Sequence, residues 1–288
     1  MKVKALVYVL AALALGACNK FEWAAGLKAP VSVADGHRIV GGVQVESDEP
    51  IAARTALLIN KGFESFCSAS ILNEEWIVTA AHCVVDVPPY EFFVAFTGSY
   101  HDYAWGLYQD DVREVEAIHV HPAYHETLAK LSAIYLKFIE TGNMPSDEEF
   151  DALRNYGDIA LVRIKGKIPS SKIPATLLDP SISLEQGQAV VLAGYGRTEP
   201  DAEDGGVLRK VTVTIADPNW SATEVLLHNS GAGACFGDSG GPAYVYARGQ
   251  YYLFGVTSRG VKGQDCGYFT AYTNLLSYLD WINSLMSK

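Results

Sequence analysis

The stretch Phe236-Gly237-Asp238-Ser239-Gly240-Gly241-Pro242-Ala243 sets one hydroxyl among glycines, with a carboxylate directly before it. A serine hydroxyl is a poor nucleophile at neutral pH and needs a base to take its proton. Acyl transfer also needs donors aimed at the oxyanion that develops. Glycines on both sides let the backbone turn sharply enough to bring the amides of Gly237 and Ser239 to one point. Taken alone the stretch could be a Gly-rich turn, since Asp, Ser and Gly all favour turns. Its chemistry depends on what the rest of the chain supplies.

A base lies upstream in Thr79-Ala80-Ala81-His82-Cys83, which follows the apolar, β-branched run Trp76-Ile77-Val78. That run reads as a buried strand, so His82 sits where a strand ends and a turn begins. A carboxylate opens another apolar run in Gly157-Asp158-Ile159-Ala160-Leu161-Val162-Arg163-Ile164. At the start of a buried strand, Asp158 can accept a hydrogen bond from an imidazole. The order His82, Asp158, Ser239 is one of the three known chain orders of such a triad.

Together with Arg38-Ile39-Val40-Gly41-Gly42 and the closing Tyr278-Leu279-Asp280-Trp281-Ile282, these segments make residues 38–288 resemble the trypsin/chymotrypsin-like serine endopeptidases. The resemblance implies that Ser239 attacks the scissile carbonyl, His82 moves the proton, and Asp158 fixes the tautomer of His82. It implies an oxyanion hole from the amides of Gly237 and Ser239. It implies bridges Cys67–Cys83 and Cys235–Cys266. It also implies a zymogen: cutting after Arg38 frees the amine of Ile39, which pairs with Asp238 and completes the oxyanion hole. The opposing reading is a protease-like binding protein without turnover. No member of the triad is replaced, which favours the enzyme.

The chain opens with Lys2 and Lys4 and an apolar run from Ala5 to Leu15. The run is too short to span a bilayer and has the form of a signal peptide over residues 1–17. It ends in Leu15-Gly16-Ala17-Cys18, which resembles the lipobox of bacterial lipoproteins. Ordinary cleavage near Ala17 is the alternative. Of five cysteines, the two implied bridges leave Cys18 over, which favours lipidation. Residues 18–38 then form a lipidated pro-segment, and both bridges call for an oxidising compartment. The expected location is the bacterial envelope, periplasm or outer membrane, with a membrane link only through the lipid. Cleavage after Arg38 would release a soluble enzyme.

Short β-branched and aromatic runs with 26 glycines suit an all-β barrel or sandwich. Strands are expected at Ala56–Asn60, Ser68–Leu72, Trp76–Thr79, Glu91–Thr97, Ile159–Ile164, Ala189–Ala193, Leu208–Ile215, Pro242–Tyr246 and Tyr251–Ser258. The family resemblance sharpens this to two six-stranded Greek-key barrels, about 52–168 and 175–274, within a peptidase domain of residues 39–288. The crossover falls near Lys165–Pro174. Leu276, Leu279, Ile282 and Met286 recur at helical spacing and predict a closing helix over 275–287. The formal charge is −11. Loss of Lys2 and Lys4 with the leader makes it two units more negative. Such a surface disfavours nucleic acid and anionic membranes. The expected partners are protein or peptide substrates and an activating protease, the expected state is a monomer, and no cofactor is expected. His119, His121 and His125 lack a cysteine or carboxylate cluster to complete a metal site, so no metal is expected either.

Asp158 follows His82 by 76 residues, farther than in compact members of that family. The excess maps to Glu126–Tyr156, where Leu128, Leu131, Tyr135 and Phe138 recur at three and four. Ser146-x-x-Glu149 resembles a capping box opening a second helix. A helical insertion over 126–156 is therefore expected just before Asp158. It reads equally as a lid or exosite over the upstream substrate residues and as decoration on the first barrel. By resemblance, Gly233 stands at the base of the specificity pocket, Ser258-Arg259-Gly260 forms its opposite wall, and Thr270 lies near its floor. Tryptic cleavage would call for Asp at Gly233, because a buried cation needs a partner. An uncharged pocket for apolar or aromatic side chains is expected. The enzyme would then depend on another protease to cut at Arg38.

Overall fold

The computed structural model describes residues 39–287 except 64, 105, 107–108, 147–148, 150–151, 229–230 and 262–265. The leader, Cys18 and Arg38 therefore lie outside the described residues. Six strands close the first barrel in the order β2 (Thr55–Asn60), β3 (Ser65–Ile71), β4 (Trp76–Thr79), β7 (Ala160–Ile164), β6 (Val112–Val120) and β5 (Phe92–Ala95). The second is built from β8 (Ala189–Gly194), β9 (Arg209–Ser221), β10 (Glu224–His228), β13 (Phe269–Asn274), β12 (Gln250–Gly260) and β11 (Pro242–Ala247). Antiparallel pairing of β8 with both β11 and β9 closes it, and β1 (Val43–Gln44) adds to the edge of β9. This is the expected pair of six-stranded barrels.

The apolar runs are continuous because both faces of these strands are covered. Successive side chains along a strand point to opposite faces. Ala56 and Leu58 of β2 pack inside the first barrel with Ile77, Ala160 and Val162. Their neighbours Leu57 and Ile59 join Trp76, Val78, Ile159 and Leu161 in a core between the barrels. The second barrel repeats the pattern. Val190, Leu192, Ala243 and Phe254 point inward, while Ala193, Tyr244, Leu253 and Val256 meet the first barrel. The closing segment adds Leu275, Tyr278 and Ile282 to the same layer. Its first turn is a 3₁₀ helix, Leu275–Tyr278, followed by the α-helix Leu279–Met286.

Among the described residues two α-helices precede Asp158: α1 (Tyr100–Ala104), between β5 and β6, and α2 (Pro122–Thr141), after β6. The periodic signal from residue 126 placed the start of α2 too late. His121 caps it instead, its Nδ1 accepting the Ala123 amide at 3.2 Å, with Pro122 in the first turn. Proline's fixed φ and missing N–H suit that position. The expected capping box forms: the Ser146 amide donates to Glu149 Oε2 at 3.0 Å and the Glu149 amide to Ser146 Oγ at 3.2 Å. The extent of the helix it would open rests on residues outside those described. His119 lies against Trp76, and His121 against Tyr278 and Trp281.

Candidate active site

The cleft between the barrels gathers the three segments singled out above. His82 lies in the 3₁₀ turn Ala81–Cys83 that ends β4, and Asp158 immediately precedes the run into β7. Because β4 pairs with β7, Thr79 opposite Ala160, the two side chains meet. His82 Nδ1 lies 2.8 Å from Asp158 Oδ2, and the His82 amide donates to Oδ1 at 2.9 Å. Ser258 Oγ donates to Oδ2 at 2.7 Å, and Thr273 Oγ1 holds the Asp158 carbonyl at 2.9 Å. Burial works against charge on both members of the pair, but their mutual attraction and hydrogen bonds outweigh it. The pKa of His82 is held above its ordinary value and that of Asp158 below. With Nδ1 committed to Asp158, Nε2 is the nitrogen left to exchange a proton.

Ser239 is half-buried on a turn stitched to both barrels. Its carbonyl accepts the Ser68 amide at 2.8 Å, and the Gly240 amide donates to Thr257 at 2.9 Å. The Ser68 hydroxyl donates to the Gly237 carbonyl and accepts the Tyr195 amide, each at 2.9 Å. Thr79 Oγ1 in turn holds the Ser68 carbonyl at 2.8 Å, tying the turn to the strand that leads into His82. Gly237 has φ 98°. Among the described residues no backbone carbonyl takes the amides of Gly237 or Ser239.

Asp238 points away from the cleft and is 2% exposed. Its carboxylate accepts the Cys235 amide at 2.9 Å and the Gly196 amide at 2.8 Å. A Cβ on Gly194 or Gly196 would collide with it, so the pocket is shaped by missing side chains. Burial pushes its pKa up to about 7, against the opposing pull of the two amides and the charge of Arg209. Ile39 is 1% exposed within the second barrel's core, and the Val40 carbonyl accepts the Gly233 amide at 2.9 Å.

The disulfides Cys67–Cys83 and Cys235–Cys266 are both formed. Sulfur atoms of the first lie within 4.8 Å of a His82 ring nitrogen, so the bridge braces that turn. Gly233 and Thr270 line one narrow recess of the second barrel with Leu192, Val213, Leu227 and His228, whose ring stacks on Phe269 at 4.3 Å. Ser258 spends its hydroxyl on Asp158. The side chain of Arg259 turns to Glu224, and Gly260 is left at the exposed edge beside Thr270. Ser68, Thr273, Gly196 and Glu224 carry no local signal in the sequence. Only the strand pairings bring them here.

Comparison with known proteins agrees with this geometry. The family model described as Trypsin matches residues 39–282. The chain is 30% identical over 279 residues to CLIP domain-containing serine protease B4 of Anopheles gambiae, covering 85% of this chain and 69% of that protein. It is 28% identical over 231 residues to Trypsin-1 of Astacus astacus, covering 76% and 87% respectively. A double barrel with a His–Asp pair and a serine turn in its cleft, matched by the family model over most of its length, makes this chain a serine endopeptidase of the trypsin family.

Proposed function

We propose that this endopeptidase is exported and made as a zymogen, with Ser239 as nucleophile, His82 as general base and acid, and Asp158 as the orienting carboxylate. The observation that carries the reading is the pair of half-buried His82 and buried Asp158, locked by Ser258 and Thr273 beside the Ser239 turn. Nε2 of His82 takes the Ser239 proton as Oγ attacks the carbonyl carbon of the scissile bond. The amides of Gly237 and Ser239 hold the oxyanion, worth roughly 3–4 kcal/mol for one such donor. His82 then protonates the leaving amine, and water releases the acyl group by the reverse proton path. A fluorophosphonate probe tests this directly. Labelling that survives Ser239→Ala, or is absent from the chain beginning at Ile39, would refute it.

The surroundings of Asp238 support the activation step. A carboxylate pushed up to about 7 is poised for a cation, and Ile39 is already threaded into the same barrel. Cleavage after Arg38 would supply that cation as the Ile39 amine. The lack of a carboxylate at Gly233 favours an apolar or aromatic residue before the cut. Another protease is then needed at Arg38. Two bridges take up four of the five cysteines, and Cys18 in its lipobox-like setting is the anchor we assign, in the envelope of a bacterium. Activation would separate that anchor from the catalytic domain. Membrane fractionation with N-terminal sequencing tests the link: active enzyme starting at Ile39 yet confined to detergent extracts would exclude it.

A further inference from the structure

The return of the insertion, residues 153–156, runs straight into Asp158 and is fastened to the second barrel. Arg154 is exposed. It lays its guanidinium 3.6 Å from the Trp220 ring centre and donates Nη1 to the Trp220 carbonyl at 2.5 Å. Asn155, in the left-handed region at φ 59°, donates its amide to Glu224 Oε2 at 3.1 Å. Its side-chain oxygen accepts the Thr223 amide at 3.1 Å and the Thr223 hydroxyl at 3.2 Å. Arg259 stacks 3.5 Å from the Tyr156 ring centre, pairs with Glu224 at 2.5 Å and donates to the Leu153 carbonyl at 3.4 Å.

The other side of the segment is held by α2. Thr127 Oγ1 donates to the Tyr156 carbonyl at 2.9 Å, and Gly157, at φ 64°, backs onto Ala123 so closely that a Cβ would collide. The Glu224 side chain is 1% exposed and that of Arg259 19%. A carboxylate so placed depends on its partner, since water cannot replace it. A planar guanidinium suits the task because it can stack and hydrogen-bond at once.

We propose that Arg259 and Glu224, with the Arg154–Trp220 stack, clamp residues 153–156 as a fixed wall along the upstream side of the cleft. They would thereby determine selectivity for extended peptides. The proposal rests on the endopeptidase reading. It treats the insertion as neither a mobile lid nor remote decoration. Arg259 follows Ser258, which touches Asp158, while residues 153–156 precede Asp158 in the chain. Both edges of the clamp therefore border the same stretch of cleft. Arg259 and Glu224 are positioning residues: they act through where they hold the wall.

The test uses the chain beginning at Ile39, with Arg154→Ala, Glu224→Gln and the double variant. Two chromogenic peptides share the residue before the scissile bond, one carrying one residue upstream of the cut and the other four. The preference for the longer peptide should fall about ten-fold in the double variant, through KM more than kcat. Arg154→Ala, at an exposed position, should give a smaller loss in the same direction. A second readout needs no turnover: in a Ser239→Ala background, an added nonspecific protease should nick residues 126–156 at least ten-fold faster in the double variant. A preference unchanged within two-fold, or equal losses with both peptides, overturns the proposal. Should the parent hydrolyse neither peptide, the endopeptidase reading fails. The nicking rates then decide the clamp alone, faster supporting it and equal overturning it.

Discussion

Cutting the chain before Ile39 should change the pH dependence of its stability, and the size of the change can be worked from Asp238. In the intact chain burial raises this carboxyl from the ordinary 3.8 to about 7. Between about pH 4 and pH 7 the folded state keeps a proton that the unfolded chain has released. Stability from this group is therefore fully present below about pH 4 and lost as pH rises through 7. The loss amounts to about 4 kcal/mol by pH 8. A cationic Ile39 amine beside Asp238 would offset up to that amount, and for a chain of this size each kcal/mol moves the midpoint by roughly 2–4 °C. In a Ser239→Ala background, the chain starting at Ile39 should melt some ~8–16 °C above one starting at Asn19 at pH 8. The gap should close or reverse at pH 4. The His82–Asp158 pair is common to both chains and drops out of the difference. Melting by circular dichroism from pH 4 to 9 measures it. A gap that does not vary with pH would refute the reasoning, because contacts of residues 19–38 could change the midpoint but not its dependence on Asp238.

Other expectations follow from the same contacts. Because Asp158 holds the pKa of His82 above its ordinary value, activity should fall as pH drops through a point above 6.5, read from kcat/KM against pH. Asp158→Asn should cost about 10⁴-fold in kcat and move that limb down, since burial then acts on His82 unopposed. Leu161→Ala, in the layer between the barrels, should cost roughly 2–5 kcal/mol by denaturant titration. Replacing Cys67 and Cys83 together by Ala should cost about 3 kcal/mol on the chain-entropy account, measured the same way.

Four short motifs and the period of a few strands carry most of what was legible beforehand. Trp76–Thr79 and Pro242–Tyr246 could be read because β-branched and aromatic side chains cover both faces. The strand Val112–Val120 was missed although it alternates, because only Val115 is buried and charged side chains interrupt it. Glu224–His228 was missed because a buried glutamate opens it. The start of α2 escaped for another reason: its cap is a histidine, which the usual cap residues do not include.

The division between sequence and tertiary structure falls at the range of the interactions. The glycines around Ser239, the strand that ends before His82 and the apolar run that follows Asp158 are properties of neighbouring residues, so the sequence alone marked the three candidate segments and an all-β class, while the double barrel came from the resemblance those segments carry. The hydroxyl of Ser68 that supports the nucleophile turn comes from 169 positions before Gly237. The Glu224 carboxylate that receives Arg259 is 35 positions away and has no motif around it. Such pairs depend on strand register and on which face a side chain takes, and a shift of one residue would send each to the opposite side. Only the folded chain could therefore decide that Ser258 serves Asp158, that His228 lies beside Gly233 and Thr270, and that Arg259 faces the insertion.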